Sequence, residues 1–387
     1  MTEAARSSRR TVIMGLGSLG ALGLAGCAIG TRSGAPPLPP LRLQMSRVAR
    51  ITVCLRPFRA AGPRLEVETV GDKRVVHNYG HGGSGWSLAW GSSTIATGMA
   101  LEGGTREVAV IGCGALGLTS ALLLRRAGAR VTIYAKERLP QTRSARATGT
   151  WSPDSRIAAA DSVAPTFPAQ WEEMARTSYA TYQSYIGLPG EPVAMSDRYV
   201  LFDDAVQPAP AGPPNVSAEE VHFASYGQRL AGLASPYRYL PTNENPFPVA
   251  HARMGTSMQF NIAALGQRLT DDFLREGGQI VTMTFDTPAD LARLKEPVVV
   301  NCTGYGARAL WRDESVVPVR GQIAWLMPQP EIRYGLFYRH VLMLPHPEGI
   351  VVQETGRNDM YGYGNADEAP DRSEAETAIA TLAPLYR

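Results

Sequence analysis

Histidine and cysteine are scarce in this chain, six and four among 387 residues. No CxxC pair occurs. His77 and His81 lie close together, but Gly80 separates them and no nearby carboxylate or third ligand joins them, so no metal site is expected. No G-x-S-x-G pattern surrounds Ser84 or Ser87, which argues against a hydrolase-type serine nucleophile. An excess of one charge is missing too. With 38 Lys and Arg against 35 Asp and Glu the net charge is +3, and beyond the N-terminus no basic block exists to grip nucleic acid. Internal repeats are absent, and the body of the chain has no apolar run long enough to span a membrane. Glycine (39) and proline (29) are abundant instead, as suits many turns and close approach of backbone to a ligand. The length allows a large core and two domains.

The first thirty residues read as an address. Ser8-Arg9-Arg10-Thr11 precedes an uncharged stretch rich in small residues, Val12 to Ala25. Paired arginines before such a glycine-rich core match a bacterial twin-arginine export signal. The stretch ends Leu24-Ala25-Gly26-Cys27, which resembles a lipoprotein cleavage box with Cys27 as the lipid-bearing, membrane-anchoring residue. Ordinary signal cleavage beside an incidental cysteine is the other reading. The destination would be periplasmic or extracellular-facing, with Gly30 to Pro40 as a tether. The remaining cysteines, Cys54, Cys113 and Cys302, are odd in number and sit in apolar contexts. They read as buried small hydrophobes rather than a disulfide framework.

The most informative run is Val108-Ala-Val-Ile-Gly-Cys-Gly-Ala-Leu-Gly-Leu-Thr-Ser-Ala121. It predicts a buried strand, a glycine turn and a helix. Gly112 permits the turn, Gly114 lets backbone approach a pyrophosphate, and Gly117 lets the helix pack close to the strand. A second strand is predicted at Arg130–Tyr134. Glu137 follows about twenty residues after the glycines, where a ribose-binding acid belongs.

A second glycine block lies ahead of this one, His77-Asn-Tyr-Gly-His-Gly-Gly-Ser-Gly-Trp-Ser-Leu-Ala-Trp-Gly91. Gly80, Gly82, Gly83 and Gly85 supply bare backbone, and Trp86 to Ala100 can form a helix whose N-terminus faces what the loop cradles. This block resembles the C-terminal flavin-binding loop of D-amino-acid oxidases. Asn301 to Leu310, Val319 to Ile323, Gly149-Thr-Trp-Ser-Pro153 and Leu55-Arg56-Pro57 with Arg64-Leu65-Glu66 resemble further segments of that family. Their order departs from it. Segments that usually end the chain stand first here, so the resemblance implies a circular permutation, with a join between Gly91 and Glu107 and new ends near Leu41 and Arg387.

The implied fold is α/β, a Rossmann-like FAD-binding domain with a mixed or antiparallel-sheet substrate domain. The expected partition is 1–40 signal and tether, 41–154 FAD-binding, 155–255 substrate domain, 256–325 FAD-binding again, and 326–387 substrate domain with a C-terminal helix. Strands are predicted at Val48–Cys54, Arg198–Phe202, Gln279–Phe285, Pro297–Cys302, Gly321–Leu326, Val341–Leu344 and Gly349–Gln353. Asn261 is expected to cap a helix with Ile262, Leu265, Leu269 and Phe273 on one face.

The resemblance implies FAD, a D-amino acid as substrate and oxygen as electron acceptor, with a 2-oxo acid, ammonia and hydrogen peroxide as products. Arg56 would hold the substrate carboxylate, because a planar guanidinium matches a carboxylate with two parallel hydrogen bonds. Tyr338 resembles the tyrosine that covers the substrate, while Leu342 stands where the family has a second tyrosine, with Tyr334 a substitute. Gly112, Gly114, Ala115, Leu116, Gly117 and Ser144 would meet the pyrophosphate. Lys136 replaces the family's ribose acid, with Glu137 beside it. Gly149 and Thr150 would present backbone near the flavin N5. Gly82, Gly83, Gly85, Trp86 and Ser87 would supply donors around the flavin's pyrimidine edge. A D-aspartate oxidase would need a further cation, for which Arg333 and Arg339 are available. A glycine or secondary-amine oxidase, a nicotinamide dehydrogenase and a catalytically silent flavin-binding lipoprotein are the rival readings.

Overall fold

The computed structural model describes residues 38–204, 220–233 and 236–386. The paired arginines, the apolar stretch, Cys27 and most of the tether lie outside the described residues. In chain order, β1 (Val48–Phe58), β2 (Arg64–Val70) and β3 (Lys73–Tyr79) lead into α1 (Gly85–Leu101). The fingerprint run follows as β4 (Glu107–Ile111), α2 (Ala115–Arg126) and β5 (Arg130–Ala135). Next come α3 (Phe167–Gln183), β6 (Val193–Phe202), β7 (Arg238–Tyr239) and β8 (His251–Phe260), then α4 (Ile262–Arg275), β9 (Gln279–Thr282) and β10 (Val298–Asn301). The short α5 (Ala307–Leu310) precedes β11 (Val317–Leu326), β12 (Tyr334–Tyr338), β13 (Val341–His346) and β14 (Gly349–Glu354), and α6 (Arg372–Leu382) follows.

Two sheets result. The six-stranded one runs β2-β3-β10-β4-β5-β9, parallel except at β2. Its central strands read Val-Ala-Val-Ile and Val-Val-Val because helices cover one face and an apolar layer around Leu291 and Leu294 covers the other. On the helical side, α4 presents Ile262, Leu265, Leu269 and Phe273 to the core, and Asn261 caps it by accepting from the Ala264 amide at 3.3 Å. The eight-stranded sheet runs β1-β11-β14-β13-β12-β6-β8-β7. One face packs on α6 through Leu336, Met343, Val352, Ala378 and Leu382.

Segments preceding the fingerprint complete both sheets, as a permuted order requires. β3 lies parallel beside β10, and β1 pairs antiparallel with β11 from Val48↔Leu326 to Phe58↔Val317. The described ends meet: the Tyr334 hydroxyl donates to the Pro39 carbonyl and accepts from the Tyr386 hydroxyl, both at 3.0 Å. The opposite junction, between α1 and β4, passes through Gly103 and Gly104, both at positive φ with open space around them. The expected partition needs one correction. β1 and β11, placed by sequence with the nucleotide unit, belong to the larger sheet, and the boundary at 325/326 falls inside β11. Their ladder, which extends from Val48 to Phe58, outweighs the chain proximity of β1 to β2.

Candidate functional site

One cavity of about 490 Å³ runs between the sheets and gathers the glycine turns. At the β4–α2 turn, Gly112 has φ +105°, and a Cβ there would stand 2.5 Å from the Cys302 carbonyl oxygen. Gly114 leaves room for Ser144, whose Oγ a Cβ would approach to 2.6 Å. Gly117 does not line the cavity. A Cβ on it would lie 2.0 Å from the Gly112 oxygen, so its work is close helix–strand packing. The Leu118 amide makes the first helical bond of α2, to Gly114 O at 3.0 Å, and the Ala115 amide donates to Ser144 Oγ at 3.1 Å. The amides of Leu116 and Gly117 have no acceptor among the described residues.

The second glycine block brings another helix start to the same cavity. Leu88 N–H makes the first bond of α1, to Ser84 O at 2.9 Å, leaving the Gly85, Trp86 and Ser87 amides without acceptors among the described residues. Gly82 and Gly83 line the cavity, but their amides are used: Gly82 donates to Pro57 O at 2.8 Å and Gly83 to Ser155 O at 2.9 Å. The donors expected at those two positions therefore belong to the first turn of α1 instead. Ser144 pins both helix starts, because its carbonyl accepts from Trp86 Nε1 at 2.9 Å. Two unpaired helix N-termini at one cavity make a seat for an anion and for a group that becomes anionic. The bare glycines leave no side chain in the way, so a dinucleotide fits this cradle.

His81 lines the same wall. Its Nε2 meets Ser92 Oγ at 2.8 Å, and Ser92 donates onward to Asn78 Oδ1. Ser92's proton is thus committed, so His81 carries its own on Nε2. Burial pushes its pKa down to about 3, and it is neutral.

At the far end of β5 and β9, Lys136, Glu137 and Asp286 line the cavity, as does the turn Thr303 to Gly306 after β10. Asn301 holds that turn: its Oδ1 accepts from the Thr303 amide at 3.2 Å and hydroxyl at 2.8 Å, and its Nδ2 meets His77 Nδ1 at 3.0 Å. His77 in turn bonds Glu68 through Nε2 at 2.8 Å.

The other end belongs to β1. Arg56 lines the cavity and donates to the Arg320 carbonyl at 3.2 Å, with no carboxylate within ion-pair distance among the described residues. A Cβ at Gly321, which pairs with Cys54 on the neighbouring strand, would lie 2.4 Å from its guanidinium, so this glycine of β11 makes its place. Burial lowers the Arg56 pKa, and burial followed by the field of Arg56 takes Arg156 to about 10. Gln353, 3% exposed, lines this end from β14. Thr148 donates to its Oε1 at 2.7 Å, and its Nε2 makes no hydrogen bond among the described residues.

Besides Gly117, four expected site residues do not line the cavity. Tyr338 faces the α6 side of the larger sheet, opposite Arg56, and its hydroxyl donates to Asp203 Oδ1 at 2.6 Å. Strand parity places it there, since it shares a face with Leu336. Gly149 and Thr150 are drawn into β8 pairing: the Phe260 amide donates to Gly149 O at 2.7 Å, and Thr150 bridges Gln259. Ser87's side chain accepts from the Ser152 amide at 2.9 Å and does not line the cavity. Arg339 pairs with Asp203 at 3.0 Å, and Arg333 does not line the cavity either. Residues that sequence reasoning missed are Thr148, Arg143, Arg146, Ile323 and Gln353. Arg146 and Thr148 lie within the stretch linking Ser144 to Gly149, and Arg143 immediately precedes it. Ile323 and Gln353 carry no local signal, since only sheet register brings them to Arg56.

Residues 107–386 match the FAD dependent oxidoreductase family. The match starts at the first residue of β4. Among curated proteins, the chain is 30% identical over 289 residues to a D-amino-acid oxidase of Streptomyces coelicolor, covering 72% of this chain and 77% of that one. It is 28% identical over 286 residues to a D-amino-acid oxidase of Rubrobacter xylanophilus, covering 71% and 76%. Among solved structures, glycine oxidase from Geobacillus kaustophilus aligns with a TM-score of 0.48 at 14% identity, covering 73% of this chain and 79% of that one.

Proposed function

The chain belongs to the FAD-dependent oxidoreductase family and is an FAD-dependent oxidase; on that premise we propose that it oxidises D-amino acids, using oxygen as acceptor. The observation that carries this reading is Arg56, a guanidinium lining the cavity with no carboxylate within ion-pair distance among the described residues. Its planar fork takes the substrate α-carboxylate with two parallel hydrogen bonds, and Gly321 keeps the approach open.

The residues position and stabilise rather than exchange protons. The α2 start, with Ser144, seats the pyrophosphate, while the free amides of Gly85, Trp86 and Ser87 offer positive potential where a ring edge gains negative charge. FAD held there would supply the hydride acceptor for Cα and the route of the electron pair to oxygen, giving hydrogen peroxide. The substrate amine enters neutral. Loss of the hydride and one proton leaves an imino acid, which water converts to a 2-oxo acid and ammonia. Arg56 lowers the barrier by fixing Cα.

Anaerobic mixing with D-alanine should bleach the flavin absorbance, and L-alanine should not. Readmitted oxygen should restore the colour with one peroxide per flavin. An unbleached flavin with either enantiomer would favour a silent flavin-binding protein. We also propose that Arg9, Arg10 and Cys27 direct export and lipid anchoring. Cell fractionation of the wild type beside an Arg9→Lys/Arg10→Lys double variant and Cys27→Ala tests this: the first should remain cytoplasmic, and the second should leave the membrane fraction.

A further inference from the structure

The turn after β10 is held by a chain of hydrogen bonds in which each proton has one place. The Thr303 amide can only donate, and it donates to Asn301 Oδ1 at 3.2 Å, as does the Thr303 hydroxyl at 2.8 Å. Asn301 therefore presents Nδ2 to His77 Nδ1, 3.0 Å away. Nδ2 is a donor only, so Nδ1 carries a lone pair and the His77 proton sits on Nε2. From there it is donated to Glu68 Oε2 at 2.8 Å. His77 and Asn301 are fully buried, whereas the Glu68 side chain is 38% exposed, so the relay runs from solvent to the cavity wall.

A second proton on His77 breaks this order. It enters at Nδ1 and sets one N–H against another, because Asn301 Nδ2 stands there. Relief requires the Asn301 amide to turn over. Its Oδ1 then faces His77, and the Thr303 amide is left opposite a donor, without its acceptor. The turn so released borders the pyrophosphate seat. Cys302, just before it, would lie 2.5 Å by its carbonyl oxygen from a Cβ on Gly112, and the Arg143 guanidinium stands over the Tyr305 ring at 5.3 Å, beside Ser144. The charged groups whose fields reach His77 all stand on β2. Burial lowers its pKa and Arg64 adds to the fall, while Glu68 and Glu66 oppose it. Tyr79 meets the ring edge-on at 5.6 Å and donates to Asp313 at 2.8 Å, which lies 3.4 Å from Arg59. Trp311 meets it edge-on at 5.2 Å.

We propose that the Glu68–His77–Asn301 relay positions the Thr303–Gly306 turn for the cofactor, and that a proton taken up by His77 releases the turn and weakens FAD binding. His77 and Asn301 are positioning residues, since neither lines the cavity while the turn does. Proton and cofactor are then linked reciprocally. FAD holds His77 neutral, and binding at a pH where the empty protein carries the extra proton expels it. The inference rests on the cofactor alone and holds whichever amine is oxidised.

The test follows FAD release from the holoenzyme, by the recovery of flavin fluorescence on dilution, between pH 8 and pH 5. Affinity should fall by about tenfold or more toward pH 5, within the limit of about tenfold per pH unit for one linked proton. His77→Asn keeps an acceptor toward Asn301 and cannot titrate. It should bind FAD at pH 8 within about fivefold of the wild type and lose the dependence on pH. Asn301→Asp offers an oxygen to both neighbours, accommodates the charged imidazole, and should retain FAD at pH 5. Circular dichroism checks that each protein is folded at both pH values. Nitrogen NMR of the wild-type holoenzyme, with His77 assigned through coupling to its own backbone, should show the neutral Nε2–H tautomer, and this reading stands even if a variant does not fold. Wild-type affinity unchanged across the range, a pH dependence that survives in either folded variant, or an Nδ1–H tautomer would overturn the proposal.

Discussion

At the residue scale, two side chains that resemble substrate contacts in sequence part company in space. Arg56 reaches the cavity because its strand turns that face toward the nucleotide sheet, and Gly321 leaves it room. Arg56→Ala should cost at least about 3 kcal/mol of binding and orientation, a fall of a hundredfold or more in kcat/KM, with FAD content retained. Tyr338→Phe should change kcat/KM by less than about twofold, since its hydroxyl serves Asp203 on the other face. Steady-state kinetics on both variants checks the contrast. His81 gives a pH signature. The folded protein holds it neutral down to about pH 3, whereas the unfolded chain takes up its proton near 6.5. Between these values the unfolded state binds the extra proton, so stability falls as pH drops, by about 1.4 kcal/mol per unit from this group. Denaturant unfolding at several pH values should show a shallower acid slope for His81→Gln.

At the element scale, the cavity depends on where two helices begin. α2 can start against β4 only because Gly117 has no Cβ to strike Gly112 O. Gly117→Ala should force the helix away, destabilise the fold by about 1–3 kcal/mol and lower FAD occupancy. Thermal unfolding and the flavin-to-protein absorbance ratio measure the two effects, and a fully loaded, equally stable variant would refute this account. α1 was legible from its glycine block, but the donors were assigned partly to the wrong residues. Gly82 and Gly83 read as open backbone, and their amides are engaged by Pro57 and Ser155, which no local pattern brings near.

At the scale of the whole molecule, the permutation leaves the fold closed. Pro39 and Tyr386 meet at the Tyr334 hydroxyl, while Gly103 and Gly104 form an open, solvent-facing join. A repermuted variant, with Tyr386 joined to Leu41 by a short flexible linker and new ends between Gly103 and Gly104, should fold, bind FAD one to one and keep kcat/KM within a few-fold. Insoluble or flavin-free product would show that the present chain order is required. Both sheets are completed by strands from before the fingerprint, so cutting the chain ahead of β4 removes β1 and β3 together and costs β11 and β10 one of their two neighbours each.

Local chemistry made much of this protein readable from its residues alone. Glycine turns, apolar strands and the Asn261 cap act over a few positions, so the nucleotide unit, most strand locations and the cofactor class follow directly from the amino-acid order. Residue-by-residue membership of the cavity does not. A strand's side chains alternate between faces, and only pairing across the eight-stranded sheet sets which face looks inward. That pairing sent Tyr338 to the α6 side and brought Gln353 toward Arg56, and the bond from Arg146 to Val53 O set the Arg143–Arg146 turn beside β1, because these placements rest on contacts between segments distant in the chain.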